Sequence, residues 1–340
     1  GNSPVKNFKK WRKQARATVL DAMLAPPPYT TEYETEILAE EQREGYRAKK
    51  LCFNLTGYSR VNAYVLIPDG EGPFPAVVLL HDHGGHYTIG KEKMIRPFGV
   101  DKAVLDDADA WAANCYGGQY AGDYLAAHGY VVISVDALYW GERGRKEGAD
   151  GSKYADNAGN FMMLGRSLSA FMNYEDMYTT DYLATLPEVD PKRIACMGFS
   201  MGGYRAWMLS ALSDKIQVGA AICWMTTTDC QFSWEYGRER GGFANMLPGI
   251  RRYLDYPHIA SIACPKPMLF LNGEHDKLFP PIGVRAAFAE MHEVWESRSA
   301  GDKLVTELWD MPHDCGKKVQ AKILDFLNCL LYTSPSPRDR

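Results

Sequence analysis

A serine set between glycines, at the junction of an apolar run and a helix-like segment, constrains the fold more than any other feature of the chain. Residues 194–197 are IACM, residues 198–203 are GFSMGG, and residues 204–209 suit a helix. In a sharp turn between a strand and a helix, the serine backbone is strained and neighbouring strands pack too closely for a Cβ atom, so glycines flank the serine. The pentapeptide alone would be weak evidence, but its context predicts that Ser200 is a nucleophile.

Short apolar runs without alternation recur along the chain and are typical of strands that are covered on both faces, as in a parallel sheet. These runs lie at residues 76–80, 130–135, 193–197, 218–223, 267–271 and 303–309. Segments with helical patterning lie between them, at residues 119–128, 166–186, 201–213, 281–297 and 317–328. The alternation predicts an α/β fold with a doubly wound, mostly parallel sheet.

The region before these elements sets the predicted domain organisation. Residues 5–24 carry apolar positions at helical spacing and end before three prolines, so residues 1–46 are predicted to be a helical N-terminal extension. Two alternating segments, 47–56 and 60–67, predict an antiparallel pair through which the chain enters the sheet. We predict a single catalytic domain over residues 47–328.

Both ends of the chain differ from the rest. The chain begins GNS, which resembles the remnant of a cleaved tag, and residues 329–339 (CLLYTSPSPRD) resemble the translation of a sequencing adaptor. We therefore predict that residues 329–340 are a non-native tail without function. Because the native N-terminus is not visible, the sequence leaves localisation open, with the cytoplasm slightly favoured over secretion.

Composition disfavours two classes of partner. The 42 acidic residues against 38 basic ones give a net charge of -4, which supplies no field to concentrate nucleic acid. No apolar run reaches the roughly 18 residues that a membrane span needs. The eight cysteines contain no C-x-x-C pair, and a chain of this size needs no disulfide framework, so free thiols are expected. A small-molecule substrate is therefore expected, and the oligomeric state stays open.

A nucleophilic serine needs a base to accept its proton and an anion to orient that base. In a strand-turn-helix arrangement of this kind, the acid follows the serine in the chain and the histidine comes last. Asp276 follows the predicted strand at 267–271, and His313 follows the predicted strand at 303–309. Since the carboxyl ends of parallel strands meet at one edge of a sheet, the sequence predicts a triad of Ser200, His313 and Asp276.

Four neighbouring side chains are alternatives for these two roles. His275 lies beside the predicted acid and His292 lies in a helical segment, so each is another candidate for the base. Glu274 precedes the predicted acid and Asp229 follows the preceding strand, so each is another candidate for the acid. A surface or packing role is the simpler explanation of His275 and His292, so His313 and Asp276 stay the predicted base and acid.

Residues 81–86 (HDHGGH) follow the first predicted parallel strand and suit an anion-binding loop. An oxyanion hole needs two backbone N–H groups aimed at the charge that develops on the substrate. We predict that Met201, at the start of the helix after the serine, supplies one of them and that His83 supplies the other. Three histidines and an aspartate also suit a metal site, but successive residues at a strand end rarely converge on one ion, so neither a metal nor a cofactor is predicted.

Several motifs resemble those of the dienelactone-hydrolase-like and acetyl-xylan-esterase-like α/β-hydrolases, which are mostly bacterial serine carboxylesterases. Within residues 47–328 they are HDHGGH (81–86), DALYWGERG (136–144), GRSL (165–168), GFSMGG (198–203), GEHD (273–276) and PHD (312–314). The resemblance implies the α/β-hydrolase fold and ester hydrolysis through an acyl-enzyme.

Two positions depart from the patterns of these families. Ser200 stands where dienelactone hydrolases proper have a cysteine, so ester hydrolysis is favoured over cleavage of a dienelactone. Asp82 stands where many relatives have glycine. This difference leaves two alternatives. Either a backbone N–H group near Asp82 is displaced from the oxyanion hole, or the Asp82 side chain orients a neighbouring loop.

Two long connections, about residues 83–118 and 224–262, are predicted to be lid insertions that shape a substrate site. Aromatic side chains of the second insertion (Trp224, Trp234 and Tyr236), and two that follow the predicted strand at 130–135 (Tyr139 and Trp140), are candidates for a wall that binds a sugar or aryl group. Arginines of the second insertion are candidates for pairing with a substrate carboxylate such as a uronate: Arg238, Arg240, Arg251 and Arg252. Packing of the lid and a solvated charged surface also explain these residues, so both roles stay open.

The predicted activity is hydrolysis of a small carboxylic ester, such as an acetylated or uronate-type carbohydrate ester or an aryl ester. A peptidase or a lactone hydrolase of the same fold would use the same triad. Peptidase relatives usually carry a large extra domain, which residues 1–46 are too few to form. A non-catalytic interaction protein would be expected to lack one of the three catalytic residues, and none is missing.

Overall fold

One sheet of nine strands organises the part of the chain that the computed structural model describes, residues 3–144, 150–232 and 242–332. The strands are β1 (Glu36–Arg43), β2 (Tyr46–Thr56), β3 (Ser59–Pro68), β4 (Phe74–Leu80), β5 (Val131–Val135), β6 (Val189–Phe199), β7 (Ile216–Ile222), β8 (Met268–Gly273) and β9 (Leu304–Trp309). The helices are α1 (Phe8–Met23), α2 (Lys102–Cys115), α3 (Ala121–Ala127), α4 (Gly151–Met163), α5 (Leu168–Leu183), α6 (Met201–Leu212), α7 (Thr228–Gln231), α8 (Tyr256–Ser261), α9 (Pro281–Ser297) and α10 (Lys317–Leu331).

Antiparallel pairing joins the first strands of the sheet, and parallel pairing joins the others. The strand order is β1-β2-β3-β5-β4-β6-β7-β8-β9. The pairs from β1 to β5 are antiparallel, and every pair after β5 is parallel. All residues of β5 are buried, which is expected where helices cover both faces of a sheet. The predicted fold class, a doubly wound and mostly parallel sheet with an antiparallel N-terminal edge, is confirmed.

Helices pack on both faces of the sheet and enclose two separate hydrophobic cores. Along β6, Ile194 and Cys196 contribute to one core, and Ala195 and Met197 contribute to the other, because successive side chains of a strand point to opposite faces. Helices α1, α5, α6, α8 and α9 contribute to the first core, and α3 and α10 contribute to the second. Because the strands from β5 onward in the sheet order are parallel, the loops at their carboxyl ends meet at one edge of the sheet. The predicted catalytic residues lie at this edge.

The N-terminal helix α1 is firmly attached to the domain. Its apolar face, which includes Phe8, Trp11 and Val19, is buried in the first core. On the same helix, Arg12 Nε donates a hydrogen bond to the Ile262 carbonyl at 2.7 Å. The helix predicted at residues 5–24 is therefore confirmed.

Strand β1 was not predicted, although it continues the sheet into the segment assigned to the helical extension. It pairs with β2 along most of its length. Its side chains are mostly exposed, and three of its eight residues are glutamates, so it lacks the apolar alternation of a half-buried strand. Backbone pairing at a charged sheet edge holds it, and such an edge resists association with other chains.

Both predicted insertions contain helices of their own. Helix α2 lies in the first insertion, and α7 and α8 lie in the second. At the other end of the chain, α10 continues to Leu331, whose side chain is buried, so the helix extends past the predicted boundary at residue 328. No helix in the described residues combines the length and the apolar character needed to cross a membrane.

Candidate active site

Ser200 occupies the turn between β6 and α6 in a strained conformation. Its φ of 58° and ψ of -123° lie in a region that residues with a Cβ rarely adopt. The Ser200 N–H donates to the Ile222 carbonyl at the end of β7, at 2.9 Å, and this contact ties the turn to the neighbouring strand. The turn therefore projects the serine side chain from the carboxyl edge of the sheet, as the sequence predicted.

The glycines around Ser200 allow backbone segments to approach more closely than side chains would permit. A Cβ atom placed on Gly198 would lie 2.2 Å from the Gly202 carbonyl oxygen. A Cβ atom placed on Gly202 would lie 1.9 Å from the Leu80 carbonyl oxygen at the end of β4. The turn and the segment after β4 are thus packed backbone against backbone, which brings the start of α6 next to residues 80–81.

Gly202→Ala is expected to lower the free energy of unfolding by about 3 kcal/mol or more, because the Leu80 backbone would have to move. Urea denaturation followed by circular dichroism measures the change. Gly159→Ala is the matched control, since Gly159 lies in α4 and a Cβ atom there meets nothing within 4 Å. We expect this control to leave stability unchanged or to raise it by up to about 1 kcal/mol. Equal effects at the two positions would contradict the close packing at Gly202.

Ser200, His313 and Asp276 form a continuous hydrogen-bonded chain. With the imidazole proton on Nδ1, His313 donates to Asp276 Oδ2 at 2.6 Å. Its Nε2 is then an acceptor for the Ser200 hydroxyl, at 2.9 Å. The Asp276 side chain has no exposed surface, whereas 22% of the His313 side chain is exposed. A base that accepts a serine proton and a buried carboxylate that orients it are the arrangement that nucleophilic catalysis by serine requires.

Packing and a backbone contact hold the histidine and the aspartate in place. The His313 ring lies near Phe199, with 4.6 Å between ring centroids, and is stacked with Phe279 at 6.1 Å. Asp276 Oδ1 accepts a hydrogen bond from the Leu278 N–H at 2.8 Å, which leaves Oδ2 for His313. Each oxygen of the carboxylate therefore has a separate partner.

The alternative bases and acids lie in other surroundings. His275 contacts Asp310 at 2.5 Å, and His292 contacts Thr306 at 2.8 Å. Glu274 pairs with Arg285 at 2.9 Å, and the exposed Asp229 lies 3.5 Å from Arg251. None of these four has a contact with Ser200 or His313 among the interactions of the described residues, so His313 and Asp276 fit the two roles best.

The residues predicted for the oxyanion hole lie beside Ser200. Met201 is the first residue of α6, and N–H groups in the first turn of a helix lack acceptors within that helix. Met201, His83 and Ser200 line the same cavity. Burial lowers the pKa of His83 to about 4, so its imidazole is neutral at pH 7. The roles of the two backbone amides stay predictions.

The Asp82 side chain connects the loop after β4 to the first insertion. Its Oδ2 accepts hydrogen bonds from the Tyr116 hydroxyl at 2.6 Å and from Trp111 Nε1 at 3.1 Å. Its Oδ1 lies 3.3 Å from the Lys93 ammonium. Of the two possibilities at this position, the structure thus supports orientation of a neighbouring loop by the side chain. Sequence patterns gave no signal for the partners, since they lie 11 to 34 residues away in a long connection.

A cavity of about 690 Å³ includes Ser200, Met201 and His313 in its lining. Aromatic side chains form much of its wall: Tyr87, Trp111, Tyr154, Trp224, Phe243 and Phe279. Of these, only Trp224 was a sequence candidate for substrate binding. The described part of the lining contains no lysine and no arginine. Among the described residues, the cavity lining is therefore mostly aromatic and contains few charged side chains.

The other substrate-binding candidates lie elsewhere. Tyr139 and Trp140 are buried in an aromatic cluster with Tyr87 and Tyr154, and neither lines the cavity. Trp140 Nε1 donates to the His83 carbonyl at 3.3 Å, so Trp140 supports the loop from behind. Packing thus explains Tyr139 and Trp140, and these two candidates do not belong to the wall of the cavity around Ser200.

The remaining candidates of the second insertion, two aromatic residues and four arginines, divide into two parts. Trp234, Tyr236, Arg238 and Arg240 lie outside the described residues. Arg251 lies within hydrogen-bonding distance of Thr228 and near Asp229, and neither Arg251 nor Arg252 lines the cavity. The two described arginines therefore belong to the protein surface rather than to the site around Ser200.

One group of metal-type ligands occurs in the described residues, and it overlaps the triad. Ligand atoms of Cys223, Asp276 and His313 all lie within 4.8 Å of one another. Burial and the Asp276 charge raise the pKa of the Cys223 thiol, whereas metal binding needs the thiolate. The hydrogen bond between Asp276 and His313 accounts for this clustering without an ion.

Comparisons with known proteins agree with the fold. A model of the Abhydrolase family matches residues 2–298. A Bacillus subtilis protein named "Putative hydrolase YtaP" is 29% identical over 288 residues, which cover 84% of this chain and 89% of that protein. A crystal structure described as a "putative acetyl xylan esterase" from Bacteroides fragilis aligns with a TM-score of 0.72 at 21% identity, covering 91% of this chain and 76% of that one. A glucuronoyl esterase from Solibacter usitatus aligns with a TM-score of 0.65 at 15% identity, covering 94% and 92%.

Proposed function

The chain belongs to the Abhydrolase family, and from that membership and the geometry around Ser200 we propose that it is a serine carboxylesterase acting on a small carboxylic ester. One observation carries the proposal, namely the hydrogen-bonded chain from Ser200 through His313 to the buried Asp276. The names of the structural relatives, an acetyl xylan esterase and a glucuronoyl esterase, favour an ester rather than a peptide.

In the first step of the proposed mechanism, His313 Nε2 accepts the Ser200 proton as Ser200 Oγ attacks the ester carbonyl. The positive charge that forms on the imidazole is stabilised by the Asp276 carboxylate, 2.6 Å from Nδ1. The negative charge that forms on the carbonyl oxygen is stabilised by the backbone N–H groups of Met201 and His83.

Collapse of the tetrahedral intermediate completes acylation. His313 passes the proton to the leaving alcohol, and the acyl group stays on Ser200. Water then attacks the acyl-enzyme as His313 accepts a proton from it; when the bond between the acyl carbon and Ser200 Oγ breaks, His313 returns this proton to Ser200 Oγ, and the acid product leaves. These steps use side chains of this chain, its backbone amides and water.

The character of the cavity supports a neutral substrate. Its described lining contains no cationic side chain, and Asp82 is the one acidic residue there. An unpaired carboxylate moved from water into such a site would lose several kcal/mol of solvation. Aromatic walls suit the faces of sugar rings and aryl groups. We therefore propose neutral acyl esters of carbohydrate or aryl alcohols, such as acetates, ahead of substrates with a free carboxylate.

A pair of esters with acyl chains of similar size tests this preference. We expect kcat/KM for p-nitrophenyl valerate to exceed that for p-nitrophenyl hemisuccinate by at least about 10-fold, because the second ester carries a carboxylate into the cavity. Release of p-nitrophenol measures both rates, and the rate in buffer is subtracted for each ester. Faster turnover of the hemisuccinate would contradict the proposed neutral substrate class.

A second measurement separates the proposal from the other functions of this fold. A fluorophosphonate probe is expected to label the protein at Ser200, as determined by mass spectrometry of the modified peptide. A panel of acetylated sugars, lactones and peptides would then rank the activities, and ester turnover is expected to dominate. Turnover of peptides without turnover of esters would favour a peptidase, and absence of both labelling and turnover would favour a non-catalytic protein.

A further inference from the structure

Lys93 is a fully buried lysine whose ammonium group contacts residues 82 and 83, in the loop that follows β4. Its Nζ donates to the Asp82 carbonyl at 3.0 Å, to the His83 carbonyl at 3.1 Å and to Asp82 Oδ1 at 3.3 Å. The side chain has no exposed surface. An ammonium group has three N–H donors, so these contacts use all of them on two adjacent residues.

These contacts determine the direction of two backbone N–H groups. In a planar trans peptide, the carbonyl and the following N–H point in opposite directions. In the described residues the cis peptides are Gly72-Pro73 and Cys264-Pro265, so the units after Asp82 and His83 are trans. Since the carbonyls of these two residues point at Lys93, the N–H groups of His83 and Gly84 point away from it. Both residues line the cavity that contains Ser200.

Further contacts hold carbonyl groups of the same loop. His81 Nδ1 donates to the Asp82 carbonyl at 2.8 Å, and the His86 N–H donates to the His83 carbonyl at 3.2 Å. Arg205 Nη1 donates to the His81 carbonyl at 3.2 Å, while its Nη2 is paired with Asp176 at 2.6 Å. Trp140 Nε1 donates to the His83 carbonyl at 3.3 Å. The carbonyls of three successive residues therefore all accept hydrogen bonds, so the N–H groups in the same peptide units, those of Asp82, His83 and Gly84, point the other way.

The glycine after His83 permits this loop conformation. Gly84 has a φ of +61°, and a Cβ atom there would lie 2.3 Å from the Trp111 ring. Trp111 in turn donates to Asp82 Oδ2 at 3.1 Å, and the Lys93 ammonium lies 5.0 Å from the centre of its ring. Peptide units beside glycine rotate more easily than others, so hydrogen bonds to the His83 carbonyl are needed to fix the orientation there.

We propose that Lys93 is a positioning residue for the oxyanion hole: its ammonium holds the Asp82 and His83 carbonyls so that the N–H groups of His83 and Gly84 face the substrate oxyanion. This inference rests on the proposed ester hydrolysis at Ser200. A cation suits the task because a charge-assisted hydrogen bond is about twice as strong as a neutral one. Donors that are fixed before the reaction need no reorganisation when the charge develops.

Lys93→Met tests the inference. We expect kcat for p-nitrophenyl acetate to fall on the order of 100-fold with KM within a few-fold of wild type, since loss of one oxyanion donor has an effect of this size. A trifluoromethyl ketone, which adds to the serine as a tetrahedral oxyanion, is expected to lose affinity by a similar factor. A purely structural role would reduce the amount of folded enzyme without changing the affinity of the folded fraction.

Lys91→Met is the matched control. Lys91 is equally buried, but its ammonium contacts Asp136, Glu92 and Glu142 rather than loop carbonyls. We expect the control to lose stability and to keep kcat per folded molecule within about threefold, because its contacts do not set the direction of the oxyanion donors. Wild-type kcat and ketone affinity in Lys93→Met, or equal losses in both variants, would overturn the inference.

A double variant covers the case in which Lys93→Met does not fold. Removing one partner of a buried ion pair leaves an uncompensated charge, whereas replacing both is milder. Asp82→Asn with Lys93→Met removes both charges and the carbonyl contacts, and it is expected to show the same loss of kcat and ketone affinity.

If wild type neither hydrolyses esters nor reacts with a fluorophosphonate, the proposed function fails. If wild type does both and these variants match it, only the role of Lys93 fails.

Discussion

Ser200→Ala is expected to lower kcat for p-nitrophenyl acetate by at least about 10⁴-fold, because removal of a serine nucleophile abolishes the acyl-enzyme pathway. Alanine retains the Cβ atom and accepts the φ of 58° about as well as serine does, so the fold is expected to survive. The free energy of unfolding should change by less than about 1 kcal/mol, since the variant loses one partly exposed hydrogen bond to His313. A loss of rate without a loss of stability would identify the serine hydroxyl as part of the chemistry.

Ser210→Ala is the matched control for this variant. Ser210 lies ten residues later, near the end of α6, and its hydroxyl donates to the Ala206 carbonyl at 2.8 Å within the helix. Its removal is expected to leave kcat within about twofold, because this hydroxyl lies in the packed core and not in the cavity. If Ser200→Ala kept more than a tenth of the wild-type rate, another nucleophile would have to be sought.

The elements that carry the candidate site could be predicted because each has a local signature. The apolar run before Ser200 becomes β6, and the glycines beside Ser200 are required by contacts of 2.2 Å and 1.9 Å that a Cβ atom would make. Asp276 and His313 follow β8 and β9, and neighbouring parallel strands bring their carboxyl ends together. The placement of these side chains at one edge thus follows from the parallel direction of the strands, which the alternating pattern predicts.

The cavity wall could not be predicted in the same way. Aromatic residues pack in cores as readily as they bind substrates, and the sequence of Trp140 and its neighbours does not distinguish the two roles. Trp140 is fully buried behind His83, whereas Phe279, which was not a candidate, lines the cavity and stacks on His313. The path of the chain between strands decides which aromatic side chain faces the cavity, and sequence periodicity does not encode that path.

Lys93 illustrates the same limit for charged residues. A lysine in a long polar connection is expected to be solvated, yet this one is buried, because carbonyls and a carboxylate brought from residues 82 and 83 satisfy its three donors. Asp82 supplies the compensating charge. Only the three-dimensional arrangement connects the two positions.

Asp276→Asn is expected to lower kcat by about 10⁴-fold while the protein stays folded, because the substitution places histidine in the wrong tautomer. Asp276 Oδ1 accepts a hydrogen bond from the Leu278 N–H at 2.8 Å, so the asparagine oxygen will occupy this position. The amide nitrogen then replaces Oδ2 and donates to His313 Nδ1, which forces the imidazole proton onto Nε2. With that proton facing Ser200 Oγ, His313 no longer accepts the serine proton. Stopped assays with p-nitrophenyl acetate over several hours measure the residual rate.

Glu274→Gln is the matched control for Asp276→Asn. Glu274 lies two residues earlier in the same loop, and its carboxylate pairs with Arg285 at the surface, at 2.9 Å. Loss of a partly exposed ion pair of this kind is expected to change stability by less than about 1 kcal/mol and kcat by less than about twofold. If the two variants lost similar activity, Asp276 would act through the general charge of the loop. If only Asp276→Asn lost activity, the orientation of His313 would be the cause, because each variant removes one negative charge from the same loop.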